Sequence, residues 1–437
     1  MPINNVHLPG TSYKKTIEYL YGLNRFGVKL GLTSISALLT LLDNPHEAFH
    51  VLHVGGSNGK GSTAAMTASL LIRAGYRVGL YTSPHLVRFN ERIRVGGREI
   101  PNRKVVELSR KIASVLAKDG ENLPSTFFEF TTAMAFLYFA ESAVDIAVVE
   151  VGMGGRLDAT NVVRPLVSII TNVSRDHEKV LGSGIRAVAR EKAGIIKRGV
   201  PLVTAARGAA LQVVEEVSQK VEAPLYRYGR EFSVTASDEG DFSFVAGEDG
   251  AITGLRSALM GRHQYLNAAC AIMAATLMKE KGYAVGERAV RGGLAAVRWP
   301  ARMEVLRREP TVLVDCAHNP DGADALKNAL APFLYKRLFL IIGVMADKDI
   351  KSITAKLVPL ADSVIVTRAA SDRAAAVDML AQAVRPYGKP VEVVEEVPRA
   401  CGAALSMAAP DDLICIAGSV YVAGEARVFM ARKEVTA

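Results

Sequence analysis

Short runs of apolar, β-branched residues alternate with stretches of helical periodicity along most of the chain. This alternation predicts parallel sheets covered by helices. In the first half the predicted strands are 49–54, 78–81, 146–151 and 167–171, and the predicted helices are 62–74, 101–116 and 130–140. A hairpin over 93–100 is predicted to turn at Gly96-Gly97.

The pattern changes after residue 231, where three short strands are separated by turns rich in Asp, Glu and Gly. The strands are predicted at 232–235, 242–245 and 252–255, and they indicate a small antiparallel annex. Helical patterns resume at 265–281 and 286–295. Trp299-Pro300 then interrupts the chain, because proline confines the preceding residue to extended conformations. We therefore predict a first domain over 1–297 and a second over 298–437.

The second domain shows one more complete series of alternating strands and helices. The strands are predicted at 311–315, 338–342, 363–366, 391–394 and 413–416, and the helices at 323–333, 350–360, 374–385 and 398–407. This series predicts a Rossmann-like, doubly wound domain of ordinary size. The fold class is therefore α/β, with a parallel-sheet domain, its antiparallel annex and a second doubly wound domain.

The charge balance narrows the class of ligand. The 437 residues carry a net charge of +9, which favours anionic ligands such as nucleotides and polycarboxylates. Nucleic acid is not expected, because the Lys and Arg residues are dispersed and aromatic residues make up only 6%.

Cysteine usage and hydropathy indicate the compartment. Cys270, Cys316, Cys401 and Cys415 form no C-x-x-C pair, which argues against a zinc site or a disulfide scaffold. Residues 1–20 lack the apolar core of a signal peptide, and no apolar run approaches the ~20 residues that span a bilayer. We expect a cytoplasmic monomer without membrane contact.

The strongest chemical signal is the glycine-rich run 54–63, between an apolar strand and a helix. Glycines let the backbone approach a phosphate, and N–H groups at the start of a helix point at it. Lys60 would neutralise terminal phosphate charge. The run differs from a standard P-loop because Gly61 separates Lys60 from Ser62-Thr63. The predicted ATP contacts are Asn58, Gly59, Lys60, Gly61 and Ser62. A glycine-rich turn that binds nothing is the alternative.

Three further candidate sites lie at the carboxyl ends of predicted strands, where α/β sheets bind ligands. Glu150 ends an apolar strand, where P-loop enzymes place an acid that holds Mg²⁺. Asp176-His177 follows the strand at 167–171, and Ser83 follows the strand at 78–81. Each also has a plain structural explanation: a solvated carboxylate, a loop histidine and a turn serine.

The first strand of the second domain is followed by residues 314–320, which include Asp315, His318 and Asn319. An acid at this place often binds ribose hydroxyls. Asn319 and Asp321 could instead cap the helix that follows, and the two roles are compatible.

Together these motifs resemble the folylpolyglutamate synthase/dihydrofolate synthase family, within the Mur-ligase superfamily. The resemblance covers nearly the whole chain, and residues 83–91 and 152–161 are its most specific segments. The chain departs from the family at a few positions. Cys316 and Ala301 stand where glycine is usual, and the residues flanking Asp176-His177 differ in charge.

The resemblance implies roles for individual residues. It implies Mg²⁺ ligation by Ser83, Glu150 and His177, and ATP contacts from Asn267, Arg302 and Asp315. Lys192 matches a lysine that is carbamylated in relatives, and a monovalent cation is a further implied component. The implied catalytic residues are Lys60, Lys192, His177, Arg302 and His318. The implied pterin-binding residues are Thr126, Phe127, Phe128, Glu129, Leu157, Asp158 and Ala159.

The implied activity is an ATP- and Mg²⁺-dependent, ADP-forming ligation. L-Glutamate would be joined to dihydropteroate, to a folylpolyglutamate or to both, through an acyl phosphate formed in a cleft between the domains. Three alternatives stay open: a P-loop ATPase or kinase without an amide product, a cell-wall Mur-type ligase, and a non-catalytic folate or nucleotide binder. Residues 152–161 argue against the cell-wall ligase, and the joint presence of Lys60, Glu150, His177 and Lys192 argues against the binder.

Overall fold

The structure, a computed structural model, describes residues 10–27, 31–118, 125–175, 178–237, 239–247 and 251–436. The chain divides into two units. The first comprises Met1–Ser257 with Tyr265–Val297, and the second comprises Ala258–Gln264 with Arg298–Ala437. No helix in the described ranges is both long enough and apolar enough to cross a membrane.

An eight-stranded sheet organises the first unit. Its strands are β1 (His50–Gly55), β2 (Val78–Tyr81), β3 (Ile93–Val95), β4 (Arg98–Glu99), β5 (Ile146–Glu150), β6 (Val167–Ile170), β7 (Leu202–Thr204) and β8 (Leu225–Arg227). The order is β4-β3-β2-β5-β1-β6-β7-β8. All neighbours from β2 to β8 are parallel, and the β3–β4 hairpin adds antiparallel strands at one edge. The central strands are almost fully buried, which explains their continuous apolar runs.

Helices cover this sheet. They are α1 (Tyr13–Gly22), α2 (Thr33–Leu41), α3 (Lys60–Arg73), α4 (Asn102–Lys118), α5 (Phe127–Glu141), α6 (Glu178–Leu181), α7 (Ile185–Ala193), α8 (Gly208–Lys220), α9 (His263–Leu277) and α10 (Glu287–Ala296). α5 is buried along most of its length and supplies Phe130, Phe136 and Phe139 to the core. The annex is the antiparallel sheet β9 (Phe232–Ala236), β10 (Phe242–Ala246) and β11 (Ala251–Leu255).

The second unit is built on a six-stranded sheet of order β12-β13-β17-β14-β15-β16. Its strands are β12 (Glu304–Arg308), β13 (Thr311–Val314), β14 (Leu338–Ile342), β15 (Ser363–Arg368), β16 (Val391–Glu396) and β17 (Leu413–Ala417). Only β12 is antiparallel to its neighbour. The helices are α11 (Pro320–Leu330), α12 (Ile350–Leu357), α13 (Val377–Val384), α14 (Val397–Met407) and α15 (Val420–Thr436).

The predicted fold class is confirmed, including the hairpin at Gly96-Gly97, the antiparallel annex and the doubly wound second unit. Four predicted helices begin two or three residues earlier than expected: α3 starts at Lys60, α5 at Phe127, α9 at His263 and α11 at Pro320. The Thr126-x-x-Glu129 capping box marks the second of these starts and is visible in the sequence.

Candidate active site

The glycine-rich run, Ser83 and Glu150 lie together at the carboxyl ends of three neighbouring strands of the first sheet. β5 lies between β1 and β2, parallel to both, and Glu150 pairs with Val54 at the end of β1. Because parallel strands end at the same edge, the turn after β1 and the residue after β2 flank Glu150. The Ser83 N–H donates to Glu150 Oε2 over 3.0 Å.

The turn after β1 has a backbone that only glycine accommodates at two positions. Gly59 is left-handed, with φ +81°, and a Cβ there would lie 2.3 Å from Asn267 Oδ1. A Cβ on Gly56 would lie 2.0 Å from Thr171 Oγ1. The predicted ATP contacts 58–62 and Asn267 therefore lie together at the start of α3, where N–H groups favour an anion.

Two lysines contact the same carbonyl of this turn. Lys60 is the first residue of α3, and its Nζ donates to Gly56 O and Ser57 O, both over 3.1 Å. Lys192, at the end of α7, is buried, and its Nζ donates to Gly56 O over 2.7 Å. The structure thus brings two of the predicted catalytic lysines to one point of the turn.

The segment after β6 holds the turn in place, and the sequence pattern did not reveal it. Asn172 Oδ1 accepts the Asn58 N–H over 2.9 Å, and Asn172 Nδ2 donates to Asn58 O over 3.0 Å. Thr171 Oγ1 donates to the same carbonyl over 2.6 Å. The Ser57 hydroxyl donates to Ser174 O over 3.1 Å and accepts the Ser174 N–H over 2.9 Å. Both polar groups of the Asn58 main chain are therefore fixed by side chains more than a hundred residues away.

Ser83 and Glu150 suit a hard divalent cation, which prefers oxygen ligands. Glu150 is buried, so its carboxylate needs a compensating positive charge or donors, and the Ser83 N–H is one such donor. The third predicted ligand, His177, lies outside the described residues. Within the described ranges, no group of three His, Cys, Asp or Glu residues has metal-binding geometry. The predicted set combines a serine, a glutamate and His177, and so it is not a group of that kind.

The two predicted pterin segments lie next to each other beside Glu150. The Phe128 ring stacks on Tyr81, with centroids 6.0 Å apart, and a Cβ on Gly152 would lie 2.4 Å from Phe128 Cζ. α5 also contacts the turn Ala159–Val162.

Thr126 and Glu129 cap the start of α5. Glu129 Oε2 accepts from the Thr126 N–H and hydroxyl, both over 2.8 Å. Glu129 Oε1 is buried and has no hydrogen-bond partner among the described residues. The cap therefore leaves one carboxylate oxygen of Glu129 unsatisfied, which is costly unless a ligand or water donates to it.

The other predicted pterin segment consists of Leu157, Asp158 and Ala159, and hydrogen bonds of Asp158 organise it. Its carboxylate accepts from the Met153 N–H over 2.9 Å and from the Thr160 N–H over 3.0 Å. Burial raises the pKa of Asp158, although these hydrogen bonds oppose the shift. The hydrogen bonds close the loop 152–160 immediately after Glu150.

An aromatic cluster with one arginine lies beside Phe127. The Arg92 guanidinium is 5.1 Å from the centre of the Phe127 ring, and its Nε donates to His85 Nδ1 over 2.8 Å. Burial, reinforced by Arg92, lowers the pKa of His85 to about 3. The ring is therefore neutral near pH 7, and its Nε2–H faces Tyr21 Oη at 3.1 Å.

In the second unit, Asp315 connects the end of β13 to the linker that carries Arg302. Asp315 Oδ1 accepts the Ala317 N–H over 2.8 Å, and Oδ2 accepts the Met303 N–H over 2.9 Å. A carboxylate has about four lone-pair positions, so capacity for ribose hydroxyls remains.

His318 and Asn319 follow at the start of α11. His318 Nδ1 donates to the Cys316 carbonyl over 2.9 Å, which orients the ring. Asn319 caps α11 by accepting the Gly322 N–H, so the capping alternative is correct for this residue. Burial raises the pKa of Cys316 to about 11, which leaves its thiol protonated. Cys316 is therefore a buried, protonated thiol near neutral pH.

Family comparisons agree with this architecture. Residues 54–275 match the Mur ligase middle domain, and residues 301–420 match the Mur ligase, glutamate ligase domain. The two matches cover the turn after β1, Glu150, Lys192 and the residues at the end of β13. The chain therefore belongs to the Mur ligase family.

Curated relatives narrow the class. A dihydrofolate synthase/folylpolyglutamate synthase of Bacillus subtilis is 38% identical over 364 residues, covering 81% of this chain and 84% of the relative. A Haloferax volcanii protein named for folylpolyglutamate synthase and dihydropteroate synthase activities is 38% identical and matches 97% of this chain. The chain spans about half of that longer protein, 51% of its length.

Solved structures similar to this chain come from the same family as these curated relatives. E. coli FolC in complex with DHPP and ADP has a TM-score of 0.89 at 31% identity, covering 98% of this chain and 100% of that one. The Yersinia pestis bifunctional folylpolyglutamate synthase/dihydrofolate synthase complexed with AMPPNP and Mn ion has a TM-score of 0.87 at 30% identity, covering 98% and 99%. The chain belongs to the folylpolyglutamate synthase/dihydrofolate synthase family, which confirms the resemblance.

Proposed function

We propose that the chain is an ATP-dependent ligase that adds L-glutamate to dihydropteroate, to a folylpolyglutamate or to both, with release of ADP and phosphate. The observation that carries the proposal is the adjacency of three strand ends. The glycine turn with Lys60 follows β1, Glu150 ends β5, and Ser83 follows β2. The groups that we assign to phosphate and to the cation therefore lie beside the two segments assigned to the pterin.

Nucleotide binding is assigned to residues 58–62 and Asn267, with Arg302 and Asp315 of the second unit assigned by family resemblance. Mg²⁺ is assigned to Ser83, Glu150 and His177, and when bound it would supply positive charge to the phosphates. Carbamylation of Lys192, a monovalent cation, a monomeric state and a cytoplasmic location remain predictions. A carbamate nitrogen keeps one N–H, so the contact from Lys192 to Gly56 O is compatible with the modification.

The chemistry requires activation of a carboxylate, which is a poor electrophile. A carboxylate oxygen of the acceptor attacks the γ-phosphorus of ATP, giving an acyl phosphate and ADP. The neutral amine of glutamate then attacks the acyl carbon, and the tetrahedral intermediate loses phosphate and a proton to give the amide. Both steps depend on neutralising charge and aligning reactants. Lys60 and Arg302 would supply charge, and a site that excludes water would protect the acyl phosphate.

The acceptor assignment is supported by residues of α5. The ring of Phe128 presents an aromatic surface next to Tyr81, and Glu129 Oε1 is a buried acceptor with no partner in the described part of the chain. A pterin offers a flat ring and N–H donors, which suit a ring surface and a carboxylate oxygen.

The deciding experiment is an ADP-release assay with glutamate, with dihydropteroate and tetrahydrofolate compared as acceptors. We expect ADP release to require glutamate together with at least one acceptor. Phosphate release that ignores glutamate would support the ATPase alternative, and activity only with a cell-wall nucleotide-peptide would support the other Mur-type ligase.

Asn172→Asp tests the contacts that hold the phosphate turn. Aspartate can still accept the Asn58 N–H, but it replaces the donor to Asn58 O with an oxygen and adds charge near the phosphates. We expect the KM for ATP to rise about tenfold, which corresponds to about 1.4 kcal/mol. Asn44→Asp, in the turn before β1, adds the same charge elsewhere and serves as the control. An unchanged KM for ATP in Asn172→Asp would show that these contacts do not shape the nucleotide site.

Gly152→Ala tests the acceptor site. The added methyl group would lie 2.4 Å from Phe128 Cζ, so the ring must move away from its place beside Tyr81. We expect the KM for the pterin acceptor to rise about tenfold or more, with the KM for ATP little changed. Gly286→Ala is the matched control, because it has an ordinary φ of −76° and nothing lies within 4 Å of its added methyl group. Equal effects on both substrates would argue against an acceptor role for Phe128.

A further inference from the structure

The linker that carries Arg302 has an unusual backbone on both sides of this residue. Ala301 has φ +55° and Met303 has φ +51°, in the left-handed region that favours glycine. Both side chains are buried, so neither residue can relax into solvent. A conformation of this kind persists only where surrounding contacts determine it.

Two carboxylates hold the two left-handed residues. Glu304 Oε2 accepts the Ala301 N–H over 2.7 Å, and Asp315 Oδ2 accepts the Met303 N–H over 2.9 Å. The Arg302 side chain is itself tied to this linker, because its Nη1 donates to Ala301 O over 3.0 Å. The direction in which Arg302 leaves the linker is therefore fixed by a hydrogen bond on each side.

Arg427 of α15 in turn holds Glu304. Its Nη2 donates to Glu304 Oε1 over 3.0 Å, and its Nε lies 2.9 Å from Glu304 Oε2. The Nη2 hydrogen bond holds the Glu304 carboxylate, and Nε, which has no hydrogen-bond partner among the described residues, adds charge attraction. Arg427 thereby helps to hold Glu304 where it accepts the Ala301 N–H.

We propose that Glu304, oriented by Arg427, is a positioning residue for Arg302, so that α15 contributes to catalysis without contacting a substrate. The inference rests on the proposed function, in which Arg302 reaches the terminal phosphate of ATP. Glu304 acts by keeping Ala301 left-handed, and the resulting direction of Arg302 is needed most when charge develops during phosphoryl transfer.

The test compares Glu304→Ala with Asp412→Ala in the 437-residue chain. Asp412 is a matched carboxylate of the same unit, since it accepts the Ala409 N–H over 2.8 Å and pairs with Arg337 over 2.7 Å. Asp412 precedes β17, whereas Asp315 follows β13. Because these two strands are parallel, the two carboxylates lie at opposite ends of the strands. We expect kcat to fall about ten- to hundredfold in Glu304→Ala, with the KM for ATP changed less than threefold, and kcat to stay near wild type in Asp412→Ala.

A second substitution separates positioning from general stability. Glycine adopts the left-handed conformation without a steric penalty, so Ala301→Gly added to Glu304→Ala should restore at least about threefold in kcat. A Glu304→Ala variant with unchanged kcat, or with a loss shared by Asp412→Ala, would overturn the inference. Arg302→Ala is the companion variant. If it keeps wild-type kcat, the proposed role of Arg302 fails and the inference with it. If it loses activity while Glu304→Ala does not, the inference alone fails.

Discussion

Replacing Lys60 with alanine is expected to reduce kcat/KM for ligation by at least about 10³-fold while the protein stays folded. The ammonium group is held at the glycine turn by Gly56 O and Ser57 O, where we propose that it meets the terminal phosphates of ATP. Alanine suits the first turn of a helix, and the two lost hydrogen bonds would each cost only about 1 kcal/mol of folding free energy. The measurements are ADP release and the thermal midpoint of unfolding.

The control for this prediction is Lys220→Ala, which makes the same substitution at the exposed end of α8. It should leave both activity and thermal midpoint unchanged. Lys60→Ala with turnover close to wild type would refute the role of Lys60 at the phosphates. A large fall in its thermal midpoint would instead show that Lys60 supports the fold, and nucleotide binding to the folded fraction would then have to be measured.

The strands that were predicted correctly from the sequence can be recognised from the hydrophobic pattern of their own residues. β1 and β5 are continuous apolar runs because both faces of a central parallel strand are buried. β7, β8 and β12 were not predicted. β7 and β8 have three residues each, and β12 is a partly exposed edge strand whose sequence, Glu304–Arg308, is mostly charged. Such strands are defined by their neighbours in the sheet, and periodicity within a few residues does not reveal them.

The same distinction applies to the candidate site. The glycine turn could be recognised because its glycines and Lys60 lie close together in the sequence. The structure also brings Asn267 and Lys192 into contact with this turn. Asn172 was missed because its partner, Asn58, is 114 residues away. Ala301 shows the opposite case. The sequence revealed a departure from a common glycine, but only the φ of +55° gives its physical meaning.

The second large effect is expected for Glu150→Gln. Glu150 is buried and accepts the Ser83 N–H over 3.0 Å, and glutamine keeps the size and an acceptor oxygen while removing the charge. A divalent cation loses most of its attraction to the site when this carboxylate is neutralised, so we expect kcat to fall about 10²-fold and the Mg²⁺ concentration for half-maximal activity to rise about tenfold or more. The fold should persist, because replacing a buried charge with a neutral group of equal shape removes a desolvation cost.

Glu287→Gln, on the exposed face of α10, is the matched control, since it breaks only a surface ion pair with Arg291. Superimposable Mg²⁺ titrations for Glu150→Gln and wild type would mean that the cation is held elsewhere, and Ser83 would lose its assignment with it.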